Sequence, residues 1–170
     1  MVFNIFLLIL QHRMNKLPFL PTFIGTGFGS GFWPWGPGTA GALVATLIWF
    51  AISFWVPSAL TLICITAILT VVFTLLGTWA TARLMPFWGS DPSRVVVDEM
   101  VGVWIPLMAA PATDWRYALA AFVLFRFFDI TKPLGIRAID HKEGAFYVMA
   151  DDIAAGVYSL VILLIVRWLT

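Results

Sequence analysis

The sequence has little charge, little histidine and almost no cysteine. Asp, Glu, Lys and Arg make up 11% of its 170 residues, against about a quarter in an ordinary soluble domain. A water-soluble globular fold is thereby excluded, because a chain that is 61% hydrophobic cannot cover itself with polar groups. The net charge of +1 leaves no basic face for nucleic acid. Cys64, the single cysteine, sits in an apolar run, so the chain has neither an internal disulfide nor a CxxC metal clip. What it has instead is nine Trp and fifteen Phe, rings suited to hydrocarbon and to the headgroup interface.

Crossing a bilayer takes about 20 apolar residues. Residues 39–55 and 59–82 meet this and form a helical hairpin about Pro57 and Ser58. Residues 95–107 and 115–128 are shorter and, joined by the turn-like stretch 109–114, predict a second, tighter hairpin. A last span covers 153–169. The expected fold is all-α: a multi-pass helical membrane protein with four to five membrane helices. Residues 1–10 are apolar but too short to cross, and His12, Arg13 and Lys16 follow them, the reverse of a signal peptide. They predict an N-terminal amphipathic, interfacial segment over 1–24, ahead of a single helical membrane domain over 25–170. Residues 17–41 are dense in Gly and Pro and predict a loop. Alternating crossings place 17–38, 83–94 and 129–152 on one side. That side carries Arg13, Lys16, Arg83, Arg94, Arg126, Lys132, Arg137 and Lys142, against Arg116 and Arg167 opposite, so it is expected to be cytoplasmic.

The few charges fall into three clusters. Val95-Val-Val-Asp-Glu-Met-Val-Gly102 places Asp98 and Glu99 near the mouth of an apolar helix, where a bare carboxylate costs a few kcal/mol unless paired or bound to a cation. Met149-Ala-Asp-Asp-Ile-Ala-Ala-Gly156 repeats the device with Asp151 and Asp152 at the opening of the last span. In both helices a glycine about one turn on lets a neighbouring backbone come close, which would bring the acid pairs together. Phe125-Arg-Phe-Phe-Asp-Ile-Thr-Lys-Pro133 sets Arg126, Asp129 and Lys132 on one broad helical face and closes the helix at Pro133. Oxygen ligands without a His or Cys cluster suit Mg²⁺, and basic groups beside them suit phosphate. An acid at a helix start can also merely complement the helix dipole, and an Arg–Asp pair can merely neutralise itself. Three clusters meeting at one face favour a phosphoryl site.

Gly25-Thr-Gly-Phe-Gly-Ser-Gly31, followed by Pro34-Trp-Gly-Pro-Gly-Thr-Ala-Gly41, offers backbone N–H groups to a phosphate, with Gly38 and Thr39 as candidates and Thr39 capping the first span. It lacks the ending of a nucleotide P-loop and ranks as substrate-side. His141, Asp140 and Glu143 read as solvated loop residues.

At these blocks the chain resembles the bacterial phosphatidylglycerophosphatase A family, over about residues 25–159. The resemblance rests on Gly27-Phe-Gly-Ser-Gly31 with Pro37-Gly-Thr39, Val97-Asp-Glu-Met-Val-Gly102, Phe125–Pro133 with Ile136-Arg137, and Asp151-Asp-Ile-Ala-Ala-Gly156. It departs at Leu134-Gly135, where the family often has a second proline. The resemblance implies a Mg²⁺-dependent enzyme of the bacterial inner membrane that removes the terminal phosphate of phosphatidylglycerophosphate, with the site facing the cytoplasm and membrane phospholipid as its partner. Carried onto this sequence, it makes Asp98, Glu99, Asp129, Asp151 and Asp152 the catalytic acids. The individual roles are our own reading of the charges: Glu99, Asp129 and Asp152, with help from Asp98 or Asp151, are expected to hold Mg²⁺, and Arg126, Lys132 and Arg137 to bind phosphate. Other lipid enzymes fit less well: the CDP-alcohol transferase pattern, the histidine contexts of the His-based lipid phosphatases and the DxDx(T/V) nucleophile are missing. The alternative from another class is a small transporter or channel, which predicts acids spread through membrane depth.

Overall fold

The computed structural model describes residues 17–56, 58–133 and 135–169. The interfacial segment expected over 1–24 therefore lies largely outside the described residues. Within them the protein is all-helical, with seven α-helices and no strand. They are α1 (Phe19–Gly25), α2 (Pro37–Trp55), α3 (Ala59–Trp88), α4 (Val97–Leu107), α5 (Trp115–Thr131), α6 (Ile136–Asp140) and α7 (Ala145–Leu169). Three of these, α2, α3 and α7, are long and apolar enough to cross a membrane.

Local chemistry sets the ends. Pro37 occupies the first turn of α2 behind Gly36, whose φ of 92° is a left-handed conformation that favours glycine. Thr39 is thus inside the first turn and does not cap it, contrary to expectation. Ser58 caps α3 by accepting from the Thr61 N–H at 3.4 Å. Asp114 caps α5, accepting from the Arg116 N–H at 3.0 Å. The hydrogen bond from the Arg116 side chain holds its carboxyl below the ordinary aspartate range. Lys132 ends α5 in the left-handed region, φ 44°, ahead of Pro133.

Three boundaries differ from the sequence expectation. The glycine-rich lead-in is not all loop: it holds α1 and a 3-10 turn at Ser30–Phe32. Helix α3 continues past residue 82 to Trp88, since Pro86 falls where few further helical bonds remain to be lost. Helix α7 starts at Ala145, eight residues early, so Asp151 and Asp152 lie inside the helix instead of opening it. Met149, fully buried in this added stretch, anchors it.

Helix α4 is the centre of the bundle. Ten of its eleven residues are buried, which a helix apolar on every side requires. It packs on α2, α3, α5 and α7. Trp104 Nε1 donates to the Ala45 carbonyl at 3.0 Å, and Trp49 Nε1 donates to Thr66 Oγ1 at 3.0 Å, tying α2 to α4 and α3. Along α3, Thr66, Thr70, Thr74 and Thr78 each return a hydroxyl proton to the carbonyl four residues earlier, at 2.7–2.8 Å. This satisfies their polar atoms where water is scarce. The other face of α3 shows Leu60, Ile68 and Leu75 to the surroundings, as a lipid-facing helix does.

The most extensive helix-on-helix contact is between α4 and α7. A Cβ on Gly156 would stand 2.4 Å from the Gly102 carbonyl oxygen, and one on Gly102 would stand 2.9 Å from the Asp152 carbonyl oxygen. Gly156 packs directly on the α4 backbone, while Gly102 also makes room for the Phe125 ring of α5, 2.3 Å from where its Cβ would stand. Replacing Gly156 by Leu should therefore destabilise the fold by about 3 kcal/mol or more. The midpoint of SDS-titrated unfolding in bicelles measures this, and an unchanged midpoint would contradict the close apposition.

Candidate active site

The glycine contact puts the second turn of α7 beside the first turn of α4, so the acid pairs stand side by side. Among the described residues, Asp98, Glu99 and Asp152 each offer a carboxylate oxygen within 4.8 Å of the others. Helix α5 approaches from the other side with its Arg126–Asp129 ion pair. The same residues line one cavity of about 510 Å³, together with Gly38, Lys132 and Asp151. Gly38 is there for space: a Cβ would stand 2.0 Å from Glu99 Oε1 and 3.2 Å from Arg126 Nη1. The N-terminal turn of α2 thereby closes over the carboxylate.

Lys132 bridges two carboxylates, Asp140 on α6 and Asp151 on α7, the latter at 2.6 Å. Burial alone would lower its pKa, but the hydrogen bonds and charges of the two aspartates outweigh it. The ammonium is held above the ordinary lysine range. It remains a cation at any pH the protein would meet.

Charge and hydrogen bonding are incompletely balanced in the cavity. Glu99 Oε2, Asp151 Oδ1, Asp152 Oδ1 and Arg126 Nε are buried and have no hydrogen-bond partner. Buried polar atoms are rarely left this way. Asp98 Oδ1 does accept, from the Glu99 N–H at 3.0 Å. Three acids converge within a few ångströms while Asp129 and Asp151 hold cations of their own. The donor set, all carboxylate oxygen with lone pairs to spare, fits a hard divalent cation.

Seven of the charged residues singled out from the sequence, Asp98, Glu99, Arg126, Asp129, Lys132, Asp151 and Asp152, share this cavity, as does Gly38. Two others do not. Arg137 is exposed and donates to the Thr131 carbonyl at 3.5 Å, and Thr39 lines a neighbouring groove. Of the carboxylates expected to hold metal, Glu99 and Asp152 belong to the tight trio, Asp98 completes it, and Asp129 is engaged by Arg126. Asp140, read from the sequence as solvated, is an ion-pair partner in the cavity wall, and Ser90, Asp91, Ser93, His141 and Tyr147 line its rim. No periodic pattern reaches across the Pro133–Gly135 turn to mark Asp140. The acids gather at one end of the bundle, against the transporter alternative.

The fold and this cavity define a class: a helical membrane enzyme with an acid cluster and fixed cations lining one cavity. The chain belongs to the phosphatidylglycerophosphatase A family, whose sequence model matches residues 23–167, and it is a phosphatase. It is 37% identical over 147 residues to a phosphatidylglycerophosphatase A of Haemophilus influenzae, covering 85% of this chain and 87% of the relative. It is 39% identical over 141 residues to the Escherichia coli protein of that name, covering 82% and 79%. A Bacteroides thetaiotaomicron protein, provisionally named a phosphatidylinositol-3-phosphatase, is 55% identical over 157 residues, covering 91% and 98%. No solved structure matches the chain.

The acid trio makes a prediction that needs no substrate. With chelator present, Asp152→Asn should melt at a higher temperature than wild type, because one of three crowded charges is gone. Added Mg²⁺ should stabilise wild type by about 2.7 kcal/mol at 100 times its Kd and leave the variant nearly unmoved. Thermal unfolding in detergent with and without Mg²⁺ checks both arms; equal response of the two proteins would remove Asp152 from the ion site.

Proposed function

We propose that the protein hydrolyses the terminal phosphomonoester of phosphatidylglycerophosphate, releasing phosphatidylglycerol and phosphate, with Mg²⁺ as cofactor. One observation carries the reading: the Asp98–Glu99–Asp152 trio lies in the same cavity as Arg126 and Lys132, in a chain of this family. The relatives from Haemophilus influenzae and Escherichia coli suggest the substrate. Asp98, Glu99 and Asp152 would hold the ion. Bound there, it would offset charge on the phosphoryl oxygens and the leaving alkoxide.

The remaining steps belong to the protein's own groups. Arg126 and Lys132 each have a carboxylate partner already, so phosphate binds by exchange. Phosphate oxygens take over the Arg126 N–H donors, which frees the Asp129 carboxylate. Asp129 then orients a water molecule and accepts its proton as the water oxygen bonds to phosphorus. The P–O bond to the glycerol breaks, the glycerol oxygen takes a proton from solvent water and leaves as the alcohol, and Asp129 returns its proton to solvent. Lys132, kept cationic by Asp140 and Asp151, holds the phosphate in place.

In this reading the cavity lies at the cytoplasmic headgroup plane of the inner membrane, in a protein of four to five membrane helices. Arg83, Arg94, Arg126, Lys132, Arg137 and Lys142 at the site end, against Arg116 and Arg167 at the other, support that orientation. A second reading, hydrolysis of a phosphoinositide, is favoured by the name of the Bacteroides relative. The polar rim suits a polyol headgroup, and glycerol and inositol both qualify.

Phosphate release from phosphatidylglycerophosphate in detergent micelles, with Mg²⁺ or chelator, tests the first reading. Wild type should be active only with Mg²⁺, and Asp129→Asn should lose about 100-fold or more. In ¹⁸O-water the released phosphate should carry label, whereas a trapped phosphoenzyme would rule out direct attack by water. Faster release from phosphatidylinositol 3-phosphate under the same conditions would select the second reading.

A further inference from the structure

A groove of about 560 Å³ runs beside the acid cavity and shares Gly36 with it. Its floor is one face of α2, with Thr39, Leu43 and Val44, and its wall is the overhanging segment with Phe32, Trp33 and Trp35. The rings are largely open to the surroundings, with Trp35 82% exposed. The wall is a built feature. Gly31 donates its N–H to the Thr26 carbonyl at 2.9 Å, and a Cβ there would stand 2.1 Å from the Arg94 carbonyl oxygen. Behind it the Arg94 guanidinium lies 6.0 Å from the Phe32 ring centre and 5.9 Å from that of Trp88.

We infer that this groove is the binding site for the acyl-chain end of the phospholipid substrate, an inference that rests on the phosphatase reading above. A phosphate seated between Arg126 and Lys132 must leave its diacyl moiety somewhere within a headgroup's length. The cavity shares a wall residue with the groove, whose lining is mostly apolar. Leu43 is half-exposed on a membrane helix, so the groove opens sideways into lipid. Exposed tryptophans at its upper edge suit the interfacial zone where chains meet headgroups. Thr39 stands where the two spaces join and offers a hydroxyl to a glycerol or ester oxygen. This gives Thr39 a contact with the lipid's glycerol region in place of the phosphate.

The groove makes chain length a determinant of rate. Release is measured from dipalmitoyl and dihexanoyl phosphatidylglycerophosphate in the same micelles for wild type, Leu43→Trp and Leu75→Trp. Leu75 lies on the lipid-facing side of α3, away from the site. Filling the groove excludes two or more methylene groups, so Leu43→Trp should cut the dipalmitoyl-to-dihexanoyl ratio of kcat/KM by about tenfold. The change should fall on KM, and Leu75→Trp should keep the wild-type ratio. Should Leu43→Trp fail to fold, Ala40→Phe fills the same groove from the adjacent position. An unchanged ratio in the groove variants, or an equal change in Leu75→Trp, would overturn the inference and leave bulk lipid as the only environment of the chains. Folded wild type that releases phosphate from neither lipid would instead overturn phosphatidylglycerophosphate as the substrate, and the groove's role toward it.

Discussion

The contact between Gly102 and Gly156 is the constraint from which the site follows. Helices in lipid gain little from burying apolar side chains against each other, so close backbone approach must supply the cohesion. Here it also sets distance. With the backbones touching, Asp152 on α7 and the Asp98–Glu99 pair on α4 have no choice but to face one another. A side chain at Gly156 would push α7 off the α4 backbone and spread the carboxylates, and one at Gly102 would displace the Phe125 ring of α5 as well. The most extensive helix contact in the bundle and its densest charge are thus one arrangement.

That arrangement is electrostatically unfavourable by itself, and the surrounding helices divide the burden unequally. Lys132 neutralises Asp151 with Asp140's help, and Arg126 neutralises Asp129. Asp98, Glu99 and Asp152 are left as a group with buried, unpartnered oxygens on two of the three. A membrane protein pairs intramembrane charges or uses them. The paired acids read as parts that keep the cations in place and release them on exchange. The unpaired acids are the ones that could hold a cation.

Much of this was legible in the sequence, and the reasons are specific. Asp98-Glu99 and Asp151-Asp152 stood out because charge in apolar runs is rare, and the glycine one turn beyond each pair signalled close packing. The Arg126–Asp129–Lys132 face followed from helical spacing. What was not legible depended on tertiary contact. Asp140 looks like any loop acid until α6 folds it onto Lys132, and Thr39 looks like a cap until Gly36 takes that role. Helix α7 begins early because Met149 finds a buried seat between α3 and α4, which no local propensity reveals. In the glycine-rich lead-in, Gly31 and Gly38 serve close approach to Arg94 and Glu99, where a sequence pattern suggested a phosphate cradle.

The bilayer gives the short length of α4 its meaning. At 1.5 Å per residue its eleven residues rise about 16 Å, roughly half a hydrocarbon core. Starting at Val97, α4 holds Asp98 and Glu99 on its first turn, level with the start of α2 at Gly38 and with the C-terminal end of α5. Three helix ends meet at one end of the bundle, and the cavity between them gathers the acids of α4 and α7 with the cations of α5.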